Sequence, residues 1–424
     1  MRIAHIGPPL ARRGGPAGYL LQLSMAAERY GAQSGHSMTF PRVETPVGAP
    51  PPPSFGARVR ARLRPLKRAL VGEPKFYRPS LEELQRTGGA VDGMLTASIQ
   101  GVCAEAADSI DAALAADVDV LVAHEAAAAE RLLDVRRPGQ QVWLTMHAPM
   151  PIGLDMTWSW GVPEWDWDAI LQLSDVQHWV RWELGVASAV DRLITPCPEA
   201  VAELARADAR FARLPFEYVL TGAEGRERRF PTESRAELRA RWGLPSDEPV
   251  ALFLSSPLPY RGLDVLVDAV AALPASVPGV VAIAGSSRGV QRQHPRLRYL
   301  GMVREVTDLL HAVDLIVNVN RFSLFDLSII EAAEAGLPML LHATGGNVRF
   351  HELGAGALML PDLNVATVTN GLEQCFRMSA ESRAALGRAS RRCYDEHLTL
   401  QHLWRRYADL YDRATADRYA RSES

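Results

Sequence analysis

The chain has 424 residues with a formal net charge of −3, and 47% of its residues are hydrophobic and 22% charged. This composition is that of a globular protein with two or more domains, and it excludes a wholly disordered chain. The slight acidic surplus argues against a dedicated nucleic-acid binder. No apolar run reaches the ~20 residues that span a bilayer, and the first residues do not read as a secretory leader. We therefore expect a cytoplasmic protein.

Short apolar runs alternate with helical patterns along the first half, which is typical of parallel α/β proteins. Strands are predicted over residues 2–6, 37–40, 118–123, 141–146 and 192–195. A helix is predicted over residues 19–30, after a loop that contains Gly14, Gly15 and Gly18. These elements predict a first Rossmann-like domain over residues 1–225.

A proline-rich and basic insertion, residues 41–80, interrupts this pattern. Residues 41–53 include six prolines, and residues 58–68 include six basic side chains and no acidic one. One interpretation is a surface insertion without a packed core. The other is a basic arm that contacts an anionic acceptor or the inner face of a membrane.

A second interruption, residues 156–182, contains six of the nine tryptophans. Trp179 and Trp182 are three residues apart in a predicted helix, so we expect them in the core. The other four occupy a predicted loop: Trp158, Trp160, Trp165 and Trp167. Such a loop either packs against the domain or binds a sugar acceptor by stacking; Trp158 and Trp160 are the candidates for the second role.

The strand and helix pattern begins again in the second half. Strands are predicted over residues 249–254, 280–284, 297–300, 315–319 and 339–342, with helices over 263–273, 306–311 and 328–335. These elements predict a second Rossmann-like domain over residues 235–395. A last helical segment, residues 396–424, is predicted to pack across the domains, with Trp404, Tyr407 and Tyr411 on its buried face. The predicted fold class is α/β, with two Rossmann-like domains facing a cleft.

Four motifs follow one another at strand ends in the second half. They are FLSSPLPYRGLD at 253–264, YLGMV at 299–303, RFSLFDLSIIEAAEAGLP at 321–338 and TGGN at 344–347. Their order and spacing resemble the C-terminal half of the retaining family-4 glycosyltransferases of GT-B fold. The Gly14-Gly15 loop, the Gly35-His36 pair and two strand-end histidines resemble the N-terminal half of that family.

The resemblance implies a donor site for a nucleotide sugar. Glu331 matches the second glutamate of the family's Glu-seven-Glu motif and is expected to hold the ribose hydroxyls. Arg261 and Ser256 match the basic pair on the donor diphosphate, and Gly15 is expected to donate its N–H to a phosphate oxygen. The remaining expected donor contacts are Val303 beside the base and the loop residues Ser323, Phe325 and Leu327.

The resemblance also assigns two histidines that follow predicted strands. His124 matches the family's active-site histidine, and His147 matches a second strand-end position on the acceptor side. In α/β proteins ligands bind at the carboxyl ends of strands, which favours a functional role for both. With Arg261 and Asp326, His124 completes the expected catalytic set.

Two positions depart from the family pattern. Ser323 replaces the first glutamate of the motif, and Asp326 replaces its glycine. Asp326 either takes over the contact with the donor sugar or caps the helix that follows. Ser256 lacks the positive charge of its family counterpart, whereas Arg261 replaces a lysine in a chain with only two lysines, Lys67 and Lys75.

The function implied by the resemblance is retaining transfer of a sugar from a nucleotide diphosphate to a hydroxyl of a carbohydrate or small-molecule acceptor. A UDP-sugar is favoured over a GDP- or ADP-sugar, and no further cofactor, metal ion or nucleic-acid partner is expected. Four alternatives stay open: a pseudo-glycosyltransferase, a nucleotide-sugar hydrolase, an epimerase, and a non-catalytic subunit.

Overall fold

The computed structural model describes residues 1–8, 10, 15–41, 110, 117–159, 167–225, 231–255, 258–285 and 292–422. Predictions for the proline-rich and basic insertion after residue 41, for Ser256, and for Trp160 and Trp165 lie outside these residues. The helices and strands below are numbered along the described part of the chain.

The first sheet has six parallel strands in the order β2-β1-β3-β4-β5-β6. Its strands are β1 (Arg2–Ile6), β2 (Ser37–Thr39), β3 (Val120–Ala123), β4 (Gln141–Thr145), β5 (Arg192–Thr195) and β6 (Phe216–Tyr218). The helices of this half are α1 (Gly15–Tyr30), α2 (Ala126–Val135), α3 (Ile152–Ser159), α4 (Trp167–Leu171), α5 (Ser174–Ala189) and α6 (Pro198–Ala207).

The second sheet also has six parallel strands, in the order β12-β11-β10-β7-β8-β9. Its strands are β7 (Val250–Leu254), β8 (Val280–Ala284), β9 (Leu297–Gly301), β10 (Leu315–Asn318), β11 (Met339–His342) and β12 (Ala357–Leu360). The helices are α7 (Arg235–Arg241), α8 (Leu263–Ala272), α9 (Val306–Ala312), α10 (Leu327–Glu334), α11 (Gly346–Glu352), α12 (Val365–Arg377), α13 (Ala380–Cys393) and α14 (Leu400–Ser422).

The central strands are continuous apolar runs because helices cover both faces of each sheet. All four residues of β3 and all five of β8 are buried. Separate groups of buried side chains fill the spaces between helices and each sheet, with Trp143 and Phe350 among the largest fully buried ones. The predicted α/β class with two Rossmann-like units is confirmed.

Each sheet has one place where the strand order reverses direction. In the first sheet it lies between β1 and β3, and in the second between β7 and β10. Connections from neighbouring strands leave in opposite directions there, so a crevice opens at the carboxyl ends of the strands. The loops that carry His124 and the segment 319–326 begin at these two places.

Strand β6 and strand β12 were not predicted from the sequence. Strand β6 has only three residues, none of them buried, and three of the four residues of β12 are half-buried. Neither therefore shows the apolar run that marks a central strand. The predicted loop around the tryptophans is wrong at two positions, because Trp158 lies in α3 and Trp167 begins α4.

Helix α14 returns to the first sheet. Its buried side chains Trp404, Tyr407 and Tyr411 pack in one cluster with Ile3 and Trp143 from that sheet. Trp404 also lies against Gly31, where an added Cβ would meet the indole at 3.3 Å. The end of the chain thus contributes to the core of its beginning.

Within the described residues, none of the helices combines the length and the apolar character that a membrane span needs.

Candidate active site between the two sheets

A cavity of about 360 Å³ lies between the two sheets, at the carboxyl ends of their strands. Its lining comes from both halves of the chain. It brings together seven of the residues singled out from the sequence: Gly15, His124, His147, Arg261, Phe325, Asp326 and Leu327.

Other predicted site residues lie elsewhere. Among the described residues, Val303, Ser323 and Glu331 are outside the lining of this cavity. Ser323 and Glu331 are buried, with 1% and 4% of their surface exposed. The backbone of Trp158 belongs to α3, but its side chain is outside the described part of the structure. The assignments of these four residues stay predictions.

Arg261 and Asp326 form a charged pair in the wall made by the second half. The Nη1 atom of Arg261 donates to both carboxylate oxygens of Asp326, at 2.9 and 3.0 Å. Two amide side chains from the end of β10 also donate to Asp326 Oδ2, Asn318 at 2.9 Å and Asn320 at 2.6 Å. The carboxylate therefore holds the guanidinium in a fixed position.

Burial and this carboxylate act in opposite directions on the Arg261 guanidinium. Burial lowers its pKa, and the neighbouring Asp326 charge raises it above its ordinary value. The side chain is 21% exposed, and its Nε atom is buried without a hydrogen-bond partner among the described residues. The exposed part of the guanidinium is therefore the part that a ligand oxygen in the cavity can contact.

Asp326 stands at the N-cap position of α10 with an extended backbone. Its side chain nevertheless makes no capping hydrogen bond. The carboxylate instead points to Arg261 and the two asparagines. The capping alternative raised by the sequence is therefore not what the side chain does.

His124 and His147 lie on the opposite wall, just after β3 and β4. Their rings are stacked with centroids 5.0 Å apart, and His124 Nδ1 lies 2.7 Å from His147 Nε2. The ring of Tyr19 from α1 packs edge-on against the His147 ring, with the two ring centroids 4.7 Å apart. These contacts hold both imidazoles in fixed orientations beside the cavity.

Both histidines are neutral at physiological pH. Burial lowers the pKa of His147 to about 3. Burial, together with the neighbouring imidazoles of His147 and His5, lowers the pKa of His124 well below its usual value. Neutral imidazoles act as hydrogen-bond partners and not as charges.

Two carboxyl groups that the sequence analysis missed also line the cavity, Asp155 of α3 and Glu183 of α5. Burial raises the pKa of Glu183 to about 7, against the hydrogen bond that it accepts from the Ile152 amide at 2.5 Å. Burial likewise raises the pKa of Asp155, while the positive charge of Arg261 opposes that shift. Both acids are therefore less readily ionised than surface carboxylates.

The loop around Ser323 and the glycines of the TGGN motif are pressed together. A Cβ at Gly345 would lie 1.8 Å from the Ser323 carbonyl oxygen, and one at Gly346 would lie 2.1 Å from the Leu324 oxygen. Only glycine permits this approach. The Gly346 amide already donates a hydrogen bond to the Ser323 carbonyl at 3.0 Å, so it is not free to bind a phosphate.

Gly15 differs from these buried glycines. It begins the sixteen-residue helix α1, is exposed, lines the cavity and has a φ of +73°. Amides in the first turn of a helix lack intrahelical acceptors, and the helix dipole favours an anion there. This end of the cavity therefore suits a phosphate group.

The described tryptophans of segment 156–182 have packing contacts. Trp179 is buried in the core of the first half, and Trp182 packs against that core and donates to Glu130 at 2.7 Å. Trp167 is stacked on Phe322 with ring centroids 4.7 Å apart, which joins the two halves.

Several of the missed residues carry a signal that the sequence shows. Asn318 and Asn320 end the apolar run of β10, and polar residues at the carboxyl end of a central strand point to a ligand or a network. Asp155 and Glu183 lie on helices, each between two apolar residues, and belong to no motif of acidic residues. Only the packing of α3 against α5 shows that both are withdrawn from water.

Sequence comparison gives matches over part of the chain. Residues 248–377 match the profile of the family described as Glycosyl transferases group 1. A D-inositol 3-phosphate glycosyltransferase of Streptomyces avermitilis is 31% identical over 186 residues, which are 39% of each chain. One of Streptomyces bingchenggensis is 29% identical over 220 residues, 46% of this chain and 47% of that one. The chain thus spans less than half the length of these curated relatives.

Structural comparison gives matches over nearly the whole chain. Sucrose-phosphate synthase of Thermosynechococcus elongatus superposes with a TM-score of 0.64 at 16% identity, covering 98% of this chain and 99% of that one. HepE of Anabaena, in complex with UDP and glucose, gives a TM-score of 0.61 at 15% identity, covering 97% and 99%. The catalytic domain of starch synthase IV from Arabidopsis thaliana, bound to ADP and acarbose, gives 0.62 at 14%, covering 98% and 99%. At these identities the likeness establishes the fold.

Proposed function

We propose that this chain, which has the GT-B fold and a glycosyl transferases group 1 domain over residues 248–377, transfers a sugar from a nucleotide-diphosphate donor to an acceptor hydroxyl. The observation that carries the proposal is the shared cavity between the two sheets. There a fixed guanidinium, Arg261, lies in one wall, and two neutral imidazoles, His124 and His147, lie in the other.

The chemical difficulty of the reaction is the departing diphosphate. Negative charge grows on its oxygen as the bond to the anomeric carbon breaks, and a positioned cation stabilises that charge most in the transition state. Arg261 is such a cation, and its position in the cavity lining with 21% of its side chain exposed supports contact with a phosphate oxygen. The amides at the start of α1, near Gly15, supply a second favourable site for the phosphates.

We propose that transfer retains the anomeric configuration and needs no metal ion. The bond between the anomeric carbon and the phosphate oxygen breaks, the acceptor oxygen forms the new bond on the same face, and its proton passes to the leaving phosphate. The charge compensation by Arg261 supports this route. His147 then positions a substrate oxygen, His124 orients His147 through their hydrogen bond, and neither removes a proton.

For the donor we favour a UDP-sugar over a GDP- or ADP-sugar. A UDP-sugar agrees with the likeness to HepE, solved with UDP and glucose, and the equal likeness to starch synthase IV, solved with ADP and acarbose, makes an ADP-sugar the second donor to test. In this proposal Glu331 holds the ribose hydroxyls, Val303 lies beside the base, and the loop with Ser323, Phe325 and Leu327 surrounds the sugar. Asp326 contacts Arg261 and lies between Phe325 and Leu327 of the same loop, so its carboxylate is a second candidate for contact with the donor sugar.

The proposed acceptor is a carbohydrate or a small polyhydroxylated molecule. The relatives that are named for D-inositol 3-phosphate support a cyclitol as one member of the test panel. The acceptor side of the cavity is made by His147 and by the acids Asp155 and Glu183, all of which suit hydroxyl groups.

The decisive experiment incubates the purified protein with UDP-, GDP- and ADP-sugars, each with and without inositol phosphates, simple sugars and oligosaccharides. We expect nucleotide release that depends on the acceptor, and an NMR coupling constant at the new anomeric centre that matches the donor. Release without acceptor identifies a hydrolase, and absence of nucleotide binding in calorimetry identifies a non-catalytic protein. Either outcome contradicts the proposal.

A further inference from the structure

Four side chains form a continuous hydrogen-bonded row that begins in helix α14 and ends at the cavity. Tyr411 Oη lies 3.1 Å from His5 Nε2, and His5 Nδ1 lies 2.9 Å from His124 Nε2. His124 Nδ1 lies 2.7 Å from His147 Nε2. The three imidazoles come from three adjacent strands or their ends, β1, β3 and β4. We call Tyr411, His5, His124 and His147 the histidine row.

The histidine row is closed to water along most of its length. The exposed fraction is 4% for His5, 2% for His124 and 0% for Tyr411. The ring of Phe40 is stacked on His5 at 4.8 Å and covers one face of it. Burial lowers the pKa of His5 to about 3, and it acts in the same direction on the other two imidazoles.

Neutral imidazoles in such a row must all donate their hydrogen bonds in the same direction along the row. Each has one N–H donor and one lone pair, and both nitrogens of His5 and of His124 are engaged within the row. If one ring changes its tautomer, every neighbour must change too, or two donors or two lone pairs will meet. The row therefore has only two states, with the donors running either from Tyr411 to His147 or in reverse.

The phenol at the far end decides between these states. In the forward state Tyr411 donates its only hydroxyl proton to His5 Nε2. In the reverse state His5 donates to Tyr411, and the phenol proton needs another acceptor. Within the described part of the chain, Tyr411 Oη has no hydrogen-bond partner other than His5. A fully buried hydroxyl without an acceptor is costly, so the forward state is favoured.

We propose that Tyr411 and His5 are positioning residues that hold His124 and His147 in their Nδ1–H tautomers, so that the row offers an N–H donor, and no free lone pair, beside the substrates. His124 then has both nitrogens engaged, and the Nε2 lone pair of His147 accepts from His124. The Nδ1–H of His147, at the end of the row, binds an oxygen atom of the acceptor; this last step rests on the proposed function. No histidine of the row is left to act as a general base.

The first test needs no substrate. Nitrogen NMR of protein with ¹⁵N-labelled histidine distinguishes an Nδ1–H imidazole from an Nε2–H one and from the charged form, and His124→Asn and His147→Asn spectra assign the two rings. At neutral pH we expect both rings as the Nδ1–H tautomer. A charged ring or the Nε2–H tautomer at either position overturns the proposal, whether or not the protein is active.

The second test uses two tyrosines of the same helix. Tyr411→Phe removes the hydroxyl that begins the row and keeps the ring. Tyr407→Phe is the matched control, because Tyr407 is also fully buried but its hydroxyl lies 2.7 Å from that of Tyr19, outside the row. We expect mixed tautomers at His124 and His147 in Tyr411→Phe and not in Tyr407→Phe. In Tyr411→Phe we expect kcat to fall about two- to tenfold, as for the loss of one hydrogen bond.

The binding of the donor is expected to stay unchanged in both variants. Unaltered tautomers in Tyr411→Phe, or the same tautomer mixture in Tyr407→Phe, would show that the row is not governed by Tyr411 and would overturn the proposal. If no nucleotide sugar is turned over by the wild type, the proposed function fails, while the nitrogen spectra still decide the tautomers.

Discussion

The two walls of the cavity hold their polar groups in opposite ways. In the first wall the imidazoles of His124 and His147 are withdrawn from water and are therefore neutral. In the second wall Arg261 is also largely withdrawn from water, but a guanidinium stays protonated in proteins, and the carboxylate of Asp326 at hydrogen-bond distance raises its pKa further. The charge of a buried group thus depends on its chemistry and its partner as well as on burial.

This difference suits two different tasks. In the proposed reaction, the neutral wall binds an acceptor oxygen through a hydrogen bond and adds no charge there. The charged wall of the same proposal stabilises a leaving group whose negative charge grows during the reaction. The predictions below separate these tasks, and they begin with the change expected to have the largest effect.

Replacing Arg261 should have the largest effect on turnover. Arg261→Ala removes the cation from the second wall, and we expect kcat to fall about 10²- to 10³-fold, as for other groups that stabilise a developing oxyanion. Arg261→Lys keeps the charge and loses the planar fork, so its loss should be smaller. Steady-state kinetics with the active donor measure both.

Arg292→Ala is a suitable control, since Arg292 forms an exposed pair with Asp268 at 2.5 Å. Full activity in Arg261→Ala would exclude the phosphate assignment. Equal loss in the lysine and alanine variants would show that the geometry of the fork, and not the charge, is required.

Replacing Asp326 tests whether it acts through Arg261 or on the sugar. Asp326→Asn leaves the guanidinium without its counter-charge. We expect the free energy of unfolding to fall by about 2–3 kcal/mol, somewhat less than for a fully buried pair because both side chains are partly exposed. Urea unfolding measures this loss.

The kinetics of the same variant divide the two roles. If Asp326 only holds Arg261, kcat should fall by the same factor for every donor sugar. If it also contacts the sugar, discrimination between donor sugars should be lost. Unchanged stability together with unchanged kinetics would exclude both roles.

Replacing Glu331 tests the ribose assignment. Glu331→Ala removes a charged acceptor, and a hydrogen bond to such a group is worth about 1.5–3 kcal/mol. We expect nucleotide affinity in calorimetric titration to fall accordingly, with kcat at saturating donor less affected. Glu352→Ala, in an exposed pair with Arg349, is the control. Unchanged affinity in Glu331→Ala would remove this residue from the donor site.

The sequence predicted ten of the twelve described strands and, in each wall, residues that line the cavity: His124 and His147 in the first, Arg261 and Asp326 in the second. Central parallel strands are continuous apolar runs, and these four residues lie just after strands or at the start of a helix, so both can be read along the chain. The histidine row is not local, because His5 and Tyr411 are 406 residues apart. Their contact depends on the return of helix α14 to the first sheet, which no spacing rule specifies.

The roles of the acidic residues Glu183 and Asp326 also depend on packing that the sequence does not show. Glu183 is one of many helical glutamates, and only its burial between α3 and α5 gives it an altered pKa. Asn318 and Asn320 were in principle readable as polar residues at a strand end. Their shared partner, Asp326, was seen in the sequence as an N-cap or a sugar contact, because the fixed position of Arg261 beside it is a feature of packing.

The smallest effect per residue is expected in the pH dependence of the free energy of unfolding, which depends on the buried histidines and on Glu183 of the first wall. The row histidines have a folded pKa below the unfolded value near 6.5, so the unfolded chain binds protons first as the pH falls. Each therefore lowers the free energy of unfolding by up to about 1.4 kcal/mol per pH unit below about pH 6.5.

Glu183 has the opposite effect on stability. Its folded pKa of about 7 exceeds the unfolded value near 4.5, so the folded chain binds the proton first. The folded chain therefore gains stability as the pH falls from about 7 to about 4.5. Glu183 thus offsets one of the three histidines in that window, and Glu183→Gln should make the acid loss steeper by about 1.4 kcal/mol per pH unit, whereas the surface change Glu352→Gln should not. Urea unfolding between about pH 7 and about pH 5 measures these slopes, and an equal slope in wild type and Glu183→Gln would contradict the raised pKa of that carboxyl.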